Sequence, residues 1–574
     1  MDDALFAQPL ASMAELLIVR AQQTPDAPAV TYLPERGGNP ATLTYAQLRQ
    51  RVYAVAADLM QHAAWGDRAV LLFPPGLDGV VAVLACFAAG IVAVPMMVPR
   101  RIAARDSSAA ILADCAPRVI LASPDLLLSR PDLVDRFASG VAWLSVDATQ
   151  DRPATPPVRQ PGGADIALLQ YTSGSTSTPK GVMVSHGNIL ANAGMIRRQM
   201  AHPAHATSVN WVPLYHDMGL MMGVMQPLYL GGHSVLMAPA AFMRRPLSWL
   251  RAIHTYRAAI SSAPNFAYDL CASRASVDAV GDLDLSAWTL ALNGAEPVDA
   301  ATIDRFTAAF ARHGFAPGTM YPGYGLAEAT LQVTGGRRGA VPVRRPVSSA
   351  GLRVGRAAPP RDVGDSQLVI SCGQAVPGSR LAIADPETGA RLPSLMVGEV
   401  WVGGPHVAQG YWRKPDATAA IFNAQLADEE AGPWLRTGDL GFLDADGALF
   451  LTSRIKDLII IRGVNHYPQD IERTVQDSHP ALRRDCGAAF GASGEGGERL
   501  VVVQEVERTQ RQAFDACAIA AAMREAVTKA HDVAVHTIVF IRPASLPKTT
   551  SGKVQRGLTR SLWQKSELEV IGTG

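Results

Sequence analysis

Over roughly the first 450 residues, short wholly apolar runs alternate with stretches whose apolar residues recur at helical spacing, and that alternation narrows the fold more than anything else. Ala69–Phe73, Val119–Ala122 and Val141–Val146 read as strands, and Tyr45–Gln61 and Ala300–His313 as helices. Strands that are apolar at every position need cover on both faces, which parallel sheets wrapped by helices supply. The predicted class is α/β: a large N-terminal region of α/β layers with parallel-rich sheets. One segment competes with this reading. Gly79 to Val98 carries no charge over about 20 residues, the length of a membrane span. Gly90 and Pro95 interrupt it, so a helix ending near Gly90 and a buried strand through Val92–Val94 describe it better, without stable membrane insertion.

The pattern changes twice further on. Between Leu331 and Ser371, Gly335-Gly336-Arg337-Arg338, Arg344-Arg345-Pro346 and Ala357-Ala358-Pro359-Pro360 break the periodicity, which reads as a long surface insertion. From Glu399 to Phe450, short alternating strands with Gly and Pro turns mark a small β-rich subdomain of about 370–455. A boundary falls at Arg454–Asp457. Behind it, Leu458–Arg462, Leu500–Val506 and Thr537–Ile541 read as strands and Pro468–Asp477 and Phe514–Ala530 as helices, giving a mobile α+β C-terminal domain, 456–574, after an N-terminal unit of 1–455. At 574 residues the chain exceeds what one core organises, as this division requires.

With 52 Lys and Arg against 51 Asp and Glu, the net charge is +1, so no electrostatic bias draws the chain to nucleic acid or an anionic surface. The six cysteines are scattered without a Cys-x-x-Cys pair, which points to packing residues in a reducing compartment. The start, Met1-Asp2-Asp3, is acidic where an export signal is basic, and a cytoplasmic location follows.

Chemistry enters between Tyr171 and Gly187. Gly174 and Gly181 permit turns that let successive N–H groups converge on one anion, Thr172, Ser173, Ser175, Thr176 and Thr178 bring hydroxyls, and Lys180 adds charge. This is a phosphate cradle of uncommon form. A P-loop needs Gly-Lys-Ser/Thr, whereas here Lys180 precedes Gly181 and Val182 follows. A flexible linker has similar composition, but needs no lysine and does not sit between apolar segments.

Five further segments occur in order: Asn293-Gly294-Ala295-Glu296-Pro297, Tyr324-Gly325-Leu326-Ala327-Glu328, Arg436-Thr437-Gly438-Asp439-Leu440 at the end of a loop, Ser453-Arg454-Ile455-Lys456-Asp457, and Pro547-Lys548-Thr549-Thr550-Ser551-Gly552-Lys553-Val554. With the phosphate loop they resemble the ordered motifs of the adenylate-forming enzymes, the superfamily of acyl-CoA synthetases, adenylation domains and luciferases, over nearly the whole chain. The resemblance implies attack of a carboxylate on the α-phosphate of ATP, giving an acyl-adenylate and pyrophosphate. Two anions must meet, so fixed donors and positive charge are needed around the phosphates. It also implies roles. Thr172, Ser173, Gly174, Ser175, Thr176 and Lys180 hold the β- and γ-phosphates, and Glu328 binds Mg²⁺. Gly294, Ala295, Glu296 and Tyr324, with Gly325, Leu326 and Ala327, line the adenine and ribose site. Asp439 takes the ribose hydroxyls, Arg454 contacts ribose or phosphate, and Lys553 bridges the substrate carboxylate and the α-phosphate. Lys548 is the structural neighbour of Lys553. Arg454–Asp457 is the hinge, with Lys456 at the pivot where many relatives have Asp. From residue type alone, Glu328 also suits a helix N-terminus and Asp439 a turn.

Trp211–Leu220, containing Tyr215-His216-Asp217, and Ala263–Cys271 are similar to segments of the fatty acyl-AMP ligases, and the Leu331–Ser371 insertion lies where that branch carries one. The branch implies a fatty acid substrate and acyl transfer to the phosphopantetheine thiol of a separate acyl carrier protein or carrier domain, in lipid, polyketide or nonribosomal peptide biosynthesis. In the branch the insertion is thought to disfavour the coenzyme A-producing arrangement. His216 resembles a residue near the acyl carboxylate, though a hydrogen-bonded core histidine reads the same. Met218, Leu220, Met221, Met222 and Met225 form a stripe that suits either an acyl tunnel or plain core. Two other functions fit the core motifs: a fatty acyl-CoA ligase, and a scaffold that binds acyl-adenylate without catalysis.

Overall fold

The computed structural model describes residues 6, 10–35, 38–99, 108–137, 140–148, 155–172, 179–276, 280–429, 432–494, 497–549 and 552–574. Two large sheets dominate. Among the described residues, one has nine strands in the order Gln374–Ala375, Gln332–Gly335, Met320–Gly325, Leu290–Asn293, Ile260–Ala263, Thr207–Asn210, His233–Met237, Pro28–Leu33, Ala41–Thr44. The other has six: Ala142–Ser145, Val119–Ala122, Arg68–Leu72, Val92–Met96, Ile166–Thr172, Lys180–Ser185. The pairings from Met320–Gly325 across to Pro28–Leu33 are all parallel, so those strands present their C-terminal ends along one edge, the position from which open α/β sheets bind ligands.

Leu77–Ala89 shows why the uncharged run is no membrane span. Every residue from Gly79 to Ala89 is buried. The helix touches strands of both sheets and the helices Met13–Gln23 and Tyr45–His62, so it is apolar all round because protein surrounds it. Gly90 ends it at φ 69°, where an added Cβ would lie 2.2 Å from the Trp65 ring, and Val92–Met96 then pairs with Arg68–Leu72. Among the described residues no helix is long and apolar enough to cross a membrane.

A four-stranded antiparallel sheet follows, Arg380–Ala384, Gly398–Gly403, Leu435–Leu443 and Leu449–Arg454. Beyond the 3₁₀ turn Ile455–Asp457 comes a second four-stranded sheet, Leu482–Gly494, Gly497–Val506, Val535–Ile541 and Val570–Thr573, with the helices Pro468–Asp477 and Ala516–His531. Its strands alternate faces: Leu500 and Val502 join one apolar cluster with Ile471 and Met523, while Val501 and Val503 join another with Phe490 and Ile541.

Three expectations are corrected. The Leu331–Ser371 segment is folded. Gln332–Gly335 joins the large sheet, and Arg344–Ser348 pairs with Ser366–Ile370 around the helix Ser349–Arg353. Val347, Leu352 and Ala357 pack there with Phe442, Phe450 and Tyr467, which a chain rich in Arg and Pro on its outer side does not advertise. Arg436–Leu440 lies inside the strand Leu435–Leu443 instead of ending a loop; Gly438, at φ 71°, carries a local irregularity that reads as a turn. Of the six cysteines, all unpaired, Cys517 is exposed and the other five are buried, so packing accounts for five.

Candidate active site

The first part of the site lies where the two large sheets meet. Lys180 opens its strand opposite Thr172. Ser173, Gly174, Ser175 and Thr176 lie outside the described residues, as does the Thr172 side chain, so the phosphate loop is defined by its two ends. Those ends are close-packed, since a Cβ on Gly181 would come 2.9 Å from the Tyr171 ring. The Lys180 ammonium sits 4.8 Å from the centre of the Tyr411 ring. The Tyr411 hydroxyl donates to Glu328 Oε1 at 2.9 Å. Glu328 stands on the 3₁₀ turn Ala327–Ala329, with Leu326 just before it. Gly325 permits that turn, since a Cβ there would meet the Leu331 carbonyl oxygen at 1.8 Å. Burial raises the Glu328 pKa above the usual carboxylate range, with the Tyr411 hydrogen bond opposing.

A second group centres on buried Asp439. Its Oδ2 accepts from the Tyr324 hydroxyl at 2.7 Å and its Oδ1 from Arg454 Nε at 2.9 Å. Strand register brings the acid and the arginine together, because Asp439 and Arg454 are opposite partners on neighbouring strands. Burial and the Asp439 carboxylate hold the Tyr324 phenol far above its ordinary pKa, so it remains a donor. Beside this pair the strand Leu290–Asn293 ends in a bare backbone shelf. A Cβ on Gly294 would lie 2.8 Å from the Gly323 carbonyl, and Ala295 takes φ 67°. Glu296 accepts from the Phe266 N–H at 2.7 Å, and burial pushes its carboxyl up to about 7.

The C-terminal unit supplies Lys553. Gly552 takes φ 88°, and a Cβ on it would approach the Phe266 ring to 2.9 Å, so the loop enters the large unit tightly. The loop closes on itself through Thr549 N–H to the Lys553 carbonyl at 2.7 Å and Lys553 N–H to Thr549 Oγ1 at 3.0 Å. Burial and then Arg454 lower the Lys553 pKa, while Asp217, Glu296 and Asp439 oppose. His216 Nδ1 lies 2.6 Å from Asp217 Oδ1. Burial acts to raise Asp217, but His216 and Lys553 outweigh it and its pKa falls. Lys548, by contrast, donates to Cys486 Sγ at 3.3 Å within its own unit.

An apolar cavity of about 380 Å³ opens beside this group, lined by Phe73, Met96, Val212, Leu214, Tyr215 and Met237 among others. Met218, Leu220, Met221, Met222 and Met225 do not line it. All five are buried core residues, the last three in the π-helical turn Met221–Met225. Sequence reasoning also passed over Tyr411, Asp114 and Lys414. Asp114 accepts from the Tyr171 hydroxyl and from Lys414 Nζ, each at 2.6 Å. Nothing local in the sequence marks Asp114, since its partners come from distant segments.

A family model described as AMP-binding enzyme matches residues 17–412. The chain belongs to the AMP-binding enzymes. A second model, Disco-interacting protein 2-like AMP domain, matches residues 456–573 of this AMP-binding enzyme. It is 39% identical over 572 residues to the medium-chain fatty acid acyl-carrier-protein ligase JamA of Moorena producens, covering 97% of this chain and 96% of JamA. It is 38% identical over 573 residues to the long-chain fatty acid AMP ligase FadD26 of Mycobacterium bovis, with 95% and 96% covered. It also resembles the crystal structure of a fatty acyl-adenylate ligase from L. pneumophila in complex with acyl adenylate and pyrophosphate, at 37% identity and TM-score 0.74 over 98% of this chain and 97% of that one.

Proposed function

We propose that the chain activates a fatty acid with ATP, releasing pyrophosphate, and then passes the acyl group from the adenylate to the phosphopantetheine thiol of a separate acyl carrier protein. The observation that carries this reading is the entry of the Lys553 loop into the large unit, where a Cβ on Gly552 would approach the Phe266 ring to 2.9 Å and the Lys553 ammonium comes within the fields of Asp217, Glu296, Asp439 and Arg454. A lysine held there stands between the incoming carboxylate and the α-phosphate and lowers the cost of bringing two anions together. Asp439 accepts the ribose hydroxyls, with Arg454 and Tyr324 fixing its two oxygens. The shelf of Gly294 and Ala295 receives the adenine, and Lys180 with the loop it closes holds the outer phosphates. Glu328 fits a divalent cation. Its carboxylate is a hard oxygen donor whose Oε1 accepts from the Tyr411 hydroxyl. Among the described residues no group of three or more His, Cys, Asp or Glu side chains gathers to hold a metal. Mg²⁺ needs none, because it binds through one or two carboxylates and the substrate's own phosphates, and when bound it neutralises their charge.

Residues 456–574 form the moving unit in this reading, with Arg454–Asp457 as hinge; a separate family match beginning at residue 456 supports that division. The folded insertion acts as its latch. Tyr467 Oη donates to the Leu352 carbonyl at 2.9 Å, Arg353 to the Ala530 carbonyl at 2.8 Å, and Gln367 to Asp470 at 2.9 Å. Such ties favour the adenylating arrangement over one that admits coenzyme A. JamA, named for acyl-carrier-protein ligation, supports the same acceptor.

The deciding assay supplies ATP, Mg²⁺ and fatty acids of graded length, with either coenzyme A or a phosphopantetheinylated carrier protein. Acyl-adenylate with carrier loading and little acyl-CoA is the expected result. Rapid acyl-CoA formation would replace this reading with a coenzyme A ligase, and absent pyrophosphate release with a scaffold.

A further inference from the structure

We propose that Tyr411 is a positioning residue that sets the spacing between Lys180 and Glu328, and through it the spacing between the cation on the outer phosphates and the carboxylate that takes Mg²⁺. The inference rests on the adenylation reading above. Two contacts on one rigid ring define it. The ring face carries the Lys180 ammonium at 4.8 Å, and the hydroxyl on the same ring donates to Glu328 Oε1 at 2.9 Å.

The ring is itself fixed from several sides. Residues 409–412 run antiparallel beside Lys180–Ser185 through a single bridge at Val182–Tyr411, with Gln409 N–H to the Met183 carbonyl at 2.9 Å, Met183 N–H to the Gly410 carbonyl at 2.9 Å and Trp412 N–H to the Gly181 carbonyl at 2.8 Å. The Tyr411 N–H donates to Thr418 Oγ1 at 2.9 Å, and the Phe422 ring meets the Tyr411 ring edge-on at 5.1 Å. The neighbouring Ala408 N–H holds the Glu328 carbonyl at 2.9 Å. Lys414, at the end of the same segment, is tied through Asp114 to Tyr171 on the strand that enters the phosphate loop. One segment therefore holds both flanks of the phosphate loop and both the backbone and the side chain of Glu328. A residue serving only as packing has no reason to aim its single polar atom at the carboxylate and its π-face at the lysine.

Two variants separate the two contacts. Tyr411→Phe keeps the ring under Lys180 and removes the donor to Glu328. Loss of a partner to a metal ligand lowers metal affinity, so the Mg²⁺ concentration for half-maximal pyrophosphate release should rise about tenfold. The KM for ATP at saturating Mg²⁺ should stay near the wild-type value. Tyr411→Leu removes the ring as well, and metal-free binding of inorganic pyrophosphate, followed by calorimetry, should weaken about fivefold while Tyr411→Phe leaves it unchanged. A Tyr411→Phe enzyme with wild-type Mg²⁺ dependence would overturn the assignment. So would equal losses in both variants of pyrophosphate binding and thermal stability without a shift in Mg²⁺ response, which would make Tyr411 a packing residue. Wild type in the same assay tests the underlying reading. No pyrophosphate release there removes both ideas, whereas a working wild type beside an unshifted Tyr411→Phe removes this one alone.

Discussion

The two halves of the site are built differently. In the large unit three carboxylates are tied to other side chains: Asp439 to Tyr324 and Arg454, Glu328 to Tyr411, Asp217 to His216. In the C-terminal unit, the loop that carries Lys553 is closed mainly by its own Thr549, and it meets the large unit through the Gly552–Phe266 approach. The first half is organised before any substrate arrives. In the proposed reading the second is delivered, so its charge is present only when the units are docked.

Removing the delivered charge is the sharpest way to break that contrast. Lys553→Ala should lower acyl-adenylate formation on the order of 100- to 1000-fold, as loss of a group facing developing negative charge does, with ATP binding by calorimetry nearly unchanged. Its pH dependence follows from the surroundings. The useful form is the ammonium, and burial with Arg454 lowers its pKa. The adenylation rate should therefore fall as pH rises, beginning below the ordinary lysine value of about 10.4, and Lys553→Ala should lack that alkaline limb. A wild-type rate flat to that pH would remove Lys553 from the chemistry.

Breaking the preorganised half has a different signature. Asp439→Ala leaves Arg454 facing a buried gap and Tyr324 without its acceptor, so the KM for ATP should rise on the order of tenfold, alongside a stability loss of about 2 kcal/mol. Thermal melting with and without ATP checks both, and a lowered kcat at unchanged KM would contradict the assignment.

The sequence made these residues legible where the chemistry is contiguous. Gly294 to Glu296 and Tyr324 to Glu328 each lie at or just past the end of a strand in one short run, and the parallel pairing of those two strands gathers the runs on one edge, while Lys553 was legible in a contiguous run of its own. The helix Pro468–Asp477 was readable for a similar reason, since its apolar residues repeat within ten positions. Tyr411 and Asp114 were not, because each acts on partners brought from far along the chain; Lys414 reaches Asp114 across 300 positions. The strand Leu482–Gly494 was also missed. Gly487 and Gly491 lie where a Cβ would meet the Gln504 and Glu498 side chains at 2.2 and 2.1 Å, so they make room for neighbours crossing the strand. The insertion hid its hairpin behind half-buried arginines, such as Arg344 paired with Asp304.

The insertion tests whether docking itself is tuned. Arg353→Ala combined with Gln367→Ala removes two of its ties to the C-terminal unit without touching the apolar cluster around Leu352. Two exposed or half-buried hydrogen bonds are worth about 1 kcal/mol each, so the docking equilibrium constant should fall by about thirtyfold. Faster proteolysis near residue 455 and some acyl-CoA product are the expected readouts. Unchanged cleavage and product would leave the insertion without a latching role.

The smallest effect is expected at Lys548, and it tests the contrast most finely because the residue shares a loop with Lys553. Its ammonium turns back to Cys486 Sγ inside the C-terminal unit, and it reaches the large unit only as one of the weaker charges acting on Glu296. Truncation therefore removes a tether of the loop and leaves the delivered charge in place. Lys548→Ala should change adenylation about threefold or less, a loss of the size expected for one modest hydrogen bond, and should leave the alkaline limb of the pH profile where wild type has it. A loss as large as that of Lys553→Ala would mean that the loop delivers two charges, and a shifted alkaline limb would mean that Lys548 sets the environment of Lys553 from behind.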